Sequence, residues 1–341
     1  MVLYIFLTIF SIFIYFLIYN LRKKISLFLN INDIPNEKRK IHKYPVPKTA
    51  SHSIFITLFT AFILNIFFDL YKSDFNYVII PTLLFFIVGF LDDKFNLKPF
   101  TKIILSIFII LITINLSQNL IITKFYTFSF DTYFNLNNFS QVFTILCILC
   151  LINSLNLADG INGLATGLIF FWLIYIIIIY VNNLNENLYL ILIILINIIL
   201  IFAYNLRNKH FLGDSGSLML SSFVAFLIIY THNQKLYDPN HTNSAETILI
   251  LFIIPVLDML RLFFARLIRK RNPGKADNNH LHHHLIKKFS LTVTLFSYFL
   301  LVNIPILLAL FTRINKLFIL FFVILIYSAL IIYLKKNVKK L

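Results

Sequence analysis

Charge is scarce in this chain and acid scarcest: only 13% of its 341 residues are charged, and fourteen Asp and Glu stand against thirty Lys and Arg, while 59% are hydrophobic. A soluble core of this size could not bury so much apolar surface, which excludes a water-soluble globule and makes lipid the main solvent. Cysteine is almost absent. Cys147 and Cys150 have CxxC spacing but lie inside an apolar stretch, and one pair cannot complete a four-ligand zinc site. Packing in a membrane core is the better reading for them, and the redox compartment stays open. No internal repeat or low-complexity linker is present and every inter-span segment is short, so residues 1–341 read as one membrane domain. The first apolar stretch lacks a basic n-region and a small-residue cleavage site, and Arg22, Lys23 and Lys24 follow it, so it reads as a retained span rather than a signal peptide. The heavy use of Ile, Phe, Asn and Lys reflects a compositional bias from which no function is drawn.

What is there is a series of apolar runs. A helix crossing the ~30 Å hydrocarbon layer needs about 20 apolar residues. Eleven stretches qualify, near 1–20, 52–70, 76–91, 101–120, 139–155, 164–181, 187–204, 217–231, 246–266, 292–311 and 315–334. The expected fold is an all-α polytopic membrane protein of about eleven transmembrane helices. Eleven spans place the loops after spans 1, 3, 5, 7 and 9, with the C-terminus, on one side. That side holds all but five of the thirty basic residues, the exceptions being Lys72, Lys124, Lys235, Arg313 and Lys316. The positive-inside rule makes the rich side cytoplasmic and puts the N-terminus outside, and the tail lysines Lys335, Lys336, Lys339 and Lys340 agree as topology anchors.

The scarce acids and glycines gather on that same side. Asp92, Asp93, Asp159, Asp214, Asp258 and Asp277 fall at its span ends or loops, and all seven glycines (89, 160, 163, 167, 213, 216 and 274) lie in or beside those segments. Glycine permits tight turns and close approach of backbone to a ligand. The odd-numbered loops therefore converge on one polar, acid-bearing surface, as a site would.

Four segments carry the chemistry. Gly89-Phe90-Leu91-Asp92-Asp93-Lys94-Phe95 ends an apolar span on adjacent carboxylates. These could bind a hard divalent cation, or one could act as general base, or they could be a solvated helix terminus. The run from Asn153 to Leu164, NSLNLADGINGL, spends twelve residues on a turn that two could make, and its amides and acid suit nucleobase edges and hydroxyls. The segment from Asn205 through Phe211-Leu212-Gly213-Asp214-Ser215-Gly216-Ser217 sets a glycine-flanked aspartate at a helix entry, which suits a metal ion bridging phosphates, a helix N-cap, or both. The last runs from Pro255 through Asp258, Arg261, Arg266, Arg269 and Arg271 to Asp277 and His280-Leu281-His282-His283-His284. Asp258 and Arg261, three apart, read as a structural ion pair on one helix face. HxHHH could chelate a transition metal, but no cysteine lies nearby, and the basic lead-in fits phosphate or sugar recognition better.

Taken in order, LDD, NxxNxxDGxxGL, FLGDSGS and PxxDxxR followed by HLHH resemble the polyprenyl-phosphate N-acetylhexosamine-1-phosphate transferase superfamily over nearly the whole chain. The resemblance is to its bacterial undecaprenyl-phosphate N-acetylglucosamine-1-phosphate transferase branch within glycosyltransferase family 4, which initiates O-antigen, enterobacterial common antigen or teichoic acid assembly. The segment from Lys38 to Lys48, KRKIHKYPVPK, also resembles the family's first cytoplasmic loop. The resemblance implies magnesium-dependent transfer of a sugar 1-phosphate from a UDP-N-acetylhexosamine to polyprenyl phosphate in the inner membrane, releasing UMP, with cytoplasmic active-site loops. It implies that Asp92 and Asp93 are catalytic, that Asp214 is the principal magnesium ligand with Asp93 a second, and that Asn156, Asp159 and Asn205 hold the nucleoside. It further implies that Lys102 lies near the lipid phosphate and that His280, His282 and His283 contact substrate. Partners are then the donor, the lipid acceptor and the bilayer, not nucleic acid, and a homodimer stays open. Both reactants are anions, so cations must offset their repulsion before an in-line displacement. One diphosphate replaces another, so the reaction needs no separate nucleotide-hydrolysing domain.

The chain departs from the family pattern at Asn162, where an aspartate is usual, at Ala50-Ser51, where a double glycine is usual, and at Gly274 and Asn278. These changes bear on donor specificity. Two rivals are a phospho-N-acetylmuramoyl-pentapeptide transferase, whose histidine motif has a nearby acid where this chain has Leu285, Ile286 and Lys287, and a transporter, which would place polar groups at the bilayer midplane and often show repeated halves.

Overall fold

In a computed structural model of the protein, residues 2–35, 44–184, 186–234, 243–272, 274 and 278–338 are described. Residues 38–43 of the first loop, Lys235, Asp277, Lys339 and Lys340 lie outside them. The described residues form twelve α-helices: α1 (Val2–Leu29), α2 (Ser51–Phe68), α3 (Asn76–Phe95), α4 (Pro99–Leu116), α5 (Ser140–Ala158), α6 (Leu164–Leu184), α7 (Asn187–Asn205), α8 (Gly213–Gln234), α9 (Ala245–Ile268), α10 (Leu281–Lys288), α11 (Leu291–Phe311) and α12 (Lys316–Val338). All but α10 are long and apolar enough to cross a membrane, eleven in number, as the sequence predicts. Large apolar side chains such as Phe13 on α1, Phe108 on α4 and Phe318 on α12 are exposed, which lipid tolerates and water does not.

The chain divides into two compact units, each assembled from two stretches of sequence. The first, Met1–Ile121 with Thr144–Gln234, is built around α8. From Gly213 to His232 every α8 residue except Asp214 is buried. Its small residues Gly216, Ser217, Ser221 and Ser222 allow neighbouring backbones to come close, and the serine hydroxyls return to the helix's own carbonyls, Ser221 to Ser217 at 2.6 Å. Where α3 crosses α8, Gly89 lies so tight against the backbone of Asp214 and Ser215 that a Cβ there would have no room. In the first loop, strands β1 (Asn32–Asp33) and β2 (Val46–Pro47) pair antiparallel.

The second unit, Ile122–Phe143 with Lys235–Leu341, holds α9, α10, α11 and α12 and a hairpin of β3 (Lys124–Thr127) and β4 (Thr132–Asn135). Buried Glu246, in the first turn of α9, fastens the hairpin by accepting the N–H groups of Phe128 (3.1 Å) and Ser129 (3.0 Å).

Three features depart from the sequence reading. The hairpin falls in a segment read as a plain connector, and the histidine run, read as a loop motif, forms the short helix α10. Asn153, Ser154 and Asn156 belong to the last turns of α5, so the connection after span 5 is only the tight Asp159–Gly163 turn. Helix α1 runs on to Leu29 through Arg22, Lys23 and Lys24, whose long stems can lie along apolar surface while the charges reach water.

Candidate active site

In the first unit, the ends of α3, α4, α5, α7 and α8 meet on one polar cluster. Asp93, near the end of α3, is completely buried and its side chain receives three donors. Its Oδ1 accepts Asp214 N–H at 3.0 Å and lies 3.1 Å from Lys48 Nζ, and its Oδ2 accepts Ser215 N–H at 2.9 Å. The first N–H groups of a helix have no partner within the helix, and a carboxylate there also meets the positive end of the helix dipole. Gly213, at φ 73°, makes the turn into α8, and a Cβ on it would fall 2.7 Å from Asp93 Oδ2.

Asp92 faces a different group. Its Oδ2 accepts Lys102 Nζ from α4 at 2.6 Å and its Oδ1 accepts Leu97 N–H at 2.8 Å. Lys102 Nζ lies 4.0 Å from Asp214 Oδ1, so the lysine stands between the two acids. The Asp214 side chain is 31% exposed, against 6% for Asp92, and Asn156 on α5 donates to its Oδ1 at 2.7 Å and to Ser217 Oγ at 2.8 Å. Asp214 Oδ2 receives no hydrogen bond among the described residues.

The loops around these acids are stitched to one another. The Asn205 amide is used twice by backbone, accepting Gly163 N–H at 2.5 Å and donating to His210 carbonyl at 3.2 Å, so it ties the turn after α5 to the turn before α8. Asn162 donates to Asn208 at 2.6 Å across the same gap. The first loop docks through Phe211 N–H to Pro47 carbonyl and Ala50 N–H to Phe211 carbonyl, with Ser51 reaching Leu212 carbonyl and Ser215 Oγ. Thr49 meets His210 Nε2 at 2.8 Å, and burial lowers the pKa of that imidazole to about 3, so it is neutral. Asp159 sits half-buried in the turn, where burial first, then the charges of Asp214 and Asp93, raise its pKa well above the usual carboxylate range. Lys48 feels burial most strongly, but Asp93 and then Asp214 outweigh it and raise its pKa, so its charge is secure.

The sequence-predicted residues Asp92, Asp93, Lys102, Asn156, Asp159, Asn205 and Asp214 thus share one cluster. Lys48, Thr49 and Ser51 belong to it as well and were not singled out by sequence. Their only signal was the likeness of the first loop to the family's.

In the second unit, buried Asp258 on α9 is a hub. It receives Arg261 NH2 at 2.8 Å, Tyr327 hydroxyl from α12 at 2.7 Å, His280 Nδ1 at 2.8 Å and Leu281 N–H at 3.1 Å. The ion pair expected between Asp258 and Arg261 is present, and it extends to Tyr327, which accepts Arg261 Nε at 2.7 Å. Because the carboxylate only accepts, His280 carries a proton on Nδ1. His282 packs parallel to His280 with ring centroids 5.5 Å apart, and burial drives its pKa well below normal. Of the four histidines, His280, His282 and His284 are buried and His283 is half-exposed. No group of three His, Cys, Asp or Glu that could cage a metal occurs among the described residues. Cys147 and Cys150 are free thiols on α5.

The profile of Glycosyl transferase family 4 matches residues 75–232, the stretch that brings Asp92, Lys102, Asn156, Asn205 and Asp214 together. Over that stretch the chain is similar to this family. Its similar relatives include a probable undecaprenyl-phosphate N-acetylglucosaminyl 1-phosphate transferase of Bacillus subtilis, 25% identical over 77% of this chain and 72% of the relative. Undecaprenyl-phosphate alpha-N-acetylglucosaminyl 1-phosphate transferases of Salmonella typhi (27% identical, 77% of this chain, 71% of the relative) and Escherichia coli K12 (26%, 78% and 71%) are similar to the same degree. The family 4 match ends before Asp258 and the histidine run, which belong to the second unit.

Proposed function

We propose that the chain transfers N-acetylglucosamine 1-phosphate from UDP-N-acetylglucosamine to undecaprenyl phosphate, releasing UMP, at the cytoplasmic face of a bacterial inner membrane with its N-terminus outside. The observation that supports this most is Asp214, the one residue left open at the start of a helix otherwise buried through His232, held beside Asn156 and Lys102. The names of the similar relatives supply the two substrates.

An oxygen of the acceptor phosphate attacks the phosphorus that bears the sugar, that P–O bond forms as the bond to the UMP oxygen breaks, and the electron pair leaves on UMP. Lys102 and Lys48 offset the charge of the two phosphates. Asp92 holds Lys102 toward the acceptor and would take the proton of an acceptor that arrives protonated. The donor set suits magnesium: the Asp214 side chain is 31% exposed and its Oδ2 receives no hydrogen bond among the described residues, as suits an ion that keeps waters and shares substrate phosphates. Bound there through Asp214, magnesium would neutralise charge on the transferring phosphoryl group. Asn156 and Asp159 line the donor side, with Asn205 fixing their turn, and His280, His282 and His283 are assigned to sugar and phosphate contacts.

The test is UMP release by purified protein given UDP-N-acetylglucosamine, undecaprenyl phosphate and magnesium, beside a panel of other UDP-sugars. Release that needs both substrates is expected, and Asp214→Asn should need more magnesium and turn over more slowly. Release only with a different UDP-sugar would overturn the donor assignment, and no release with any donor would overturn the reaction.

A further inference from the structure

The two adjacent acids that end α3 look interchangeable in sequence, yet their surroundings are unlike. Both are buried, but Asp92 holds the partly exposed Lys102, which also lies 4.0 Å from Asp214 Oδ1, whereas the Asp93 side chain is wholly covered and meets main-chain N–H groups and Lys48. All the donors recorded for Asp93 are the protein's own: Asp214 N–H, Ser215 N–H and Lys48 Nζ, within 2.9–3.1 Å. A metal ligand needs a lone pair directed at open space, and a general base must reach the proton it removes. Asp93 offers neither. Helix α8 begins at Gly213, so Asp214 and Ser215 carry N–H groups that the helix itself cannot satisfy, and Asp93 satisfies both from another helix.

Resting on the transfer reaction proposed above, we infer that Asp93 is a positioning residue: it caps the N-terminus of α8 from α3 and thereby fixes where the Asp214 carboxylate stands, while metal binding and proton transfer fall to Asp214 and Asp92. The fit around it supports this. Gly213 leaves room for the Asp93 carboxylate where any Cβ would strike it, and Gly89, one turn back on α3, lets the two backbones meet. Lys48 supplies the charge that makes burial of the carboxylate tolerable; a buried carboxylate without partners costs several kcal/mol. The clamp holds a main chain, so its effect on chemistry passes through the side chain that the main chain carries.

Two variants test this. Asp93→Asn replaces an acceptor oxygen with an NH2 that faces N–H donors. Gly213→Ala keeps every carboxylate but pushes a methyl group into the same clamp, so a loss of function there cannot come from a lost ligand or base. Hydrogen exchange of the 213–217 backbone, read without substrate or metal, should quicken about tenfold or more in both, as local opening energies fall. The α3 and α8 interiors should keep their protection, which separates a loosened turn from a lost fold. Turnover should fall roughly a hundredfold in both, the scale of an ångström of misplacement, and the loss should lie in kcat. Asp92→Asn should lose turnover with exchange at 213–217 unchanged. The inference is overturned if Asp93→Asn loses turnover while the Asp214 and Ser215 amides stay protected, for that is a chemical role, or if either variant frees those amides and keeps parental turnover. Absence of UMP release from the parent would count against the reaction alone, since the exchange result stands without it.

Discussion

At the scale of single residues, the cluster shows how one residue type is given different work by its surroundings. Asp92 meets a lysine, Asp93 meets main-chain N–H groups and Lys48, Asp214 keeps an oxygen without a hydrogen bond among the described residues, and Asp159 is raised by burial and by its acid neighbours. The last carries a pH consequence. A carboxyl whose folded pKa lies above its unfolded value, about 4, holds more protons in the folded state, so stability is lost as pH rises from the unfolded value through the folded one. Asp159→Asn removes that loss: its melting temperature should exceed the parent's at pH 7.5 and approach it at pH 4.5, and donor affinity should fall. A variant that melts below the parent at pH 7.5 would contradict the assignment. The identities of the acids were legible in sequence because ionisable groups beside apolar spans are expensive. Which acid does which task was not, because Asp92 and Asp93 differ only in the direction each side chain takes at the end of α3.

At the scale of elements, the eleven spans were legible because each needs its own long apolar run, whereas α10 and the β3–β4 hairpin were not. The eight residues of α10 include three histidines and two lysines and show no apolar stripe until Leu281 and Leu285 are seen to bury together. The hairpin's Phe125, Tyr126, Tyr133 and Phe134 are lost in a sequence that is 17% aromatic throughout. Tyr327 could not have been picked out at all, since it is one ring among many on an apolar helix, yet its hydroxyl joins α12 to Asp258 and Arg261. Tyr327→Phe leaves buried charged groups short of a partner, which costs about 1–3 kcal/mol. The expected outcome is a lower melting temperature together with faster hydrogen exchange over 278–285; unchanged exchange there would show that the tyrosine does not hold the histidine segment.

At the scale of the whole molecule, the lopsided distribution of Lys and Arg sets the proposed orientation. Helix α9 has 24 residues, which at ~1.5 Å each spans the hydrocarbon layer. It joins the end that anchors the hairpin through Glu246 to the end that leads into the histidine segment. A cysteine at Lys124 should therefore be labelled by an impermeant reagent from outside intact cells, and one at His283 only after the cytoplasm is opened. Labelling of both from the same side would refute the crossing. A different consequence follows from the burial of α8. Its mean hydropathy, 1.4, is the lowest of the eleven spans, and 94% of its most apolar window is covered by protein. Lipid alone is a poor host for such a segment, and its main neighbours α3 and α6 precede it in the chain. During synthesis, the helix that presents Asp214 is the one least able to enter the bilayer unaided, so its insertion depends on partners already in place. A folding error in α3 or α6 would thus surface first as a failure of membrane insertion, well before any chemistry could be attempted.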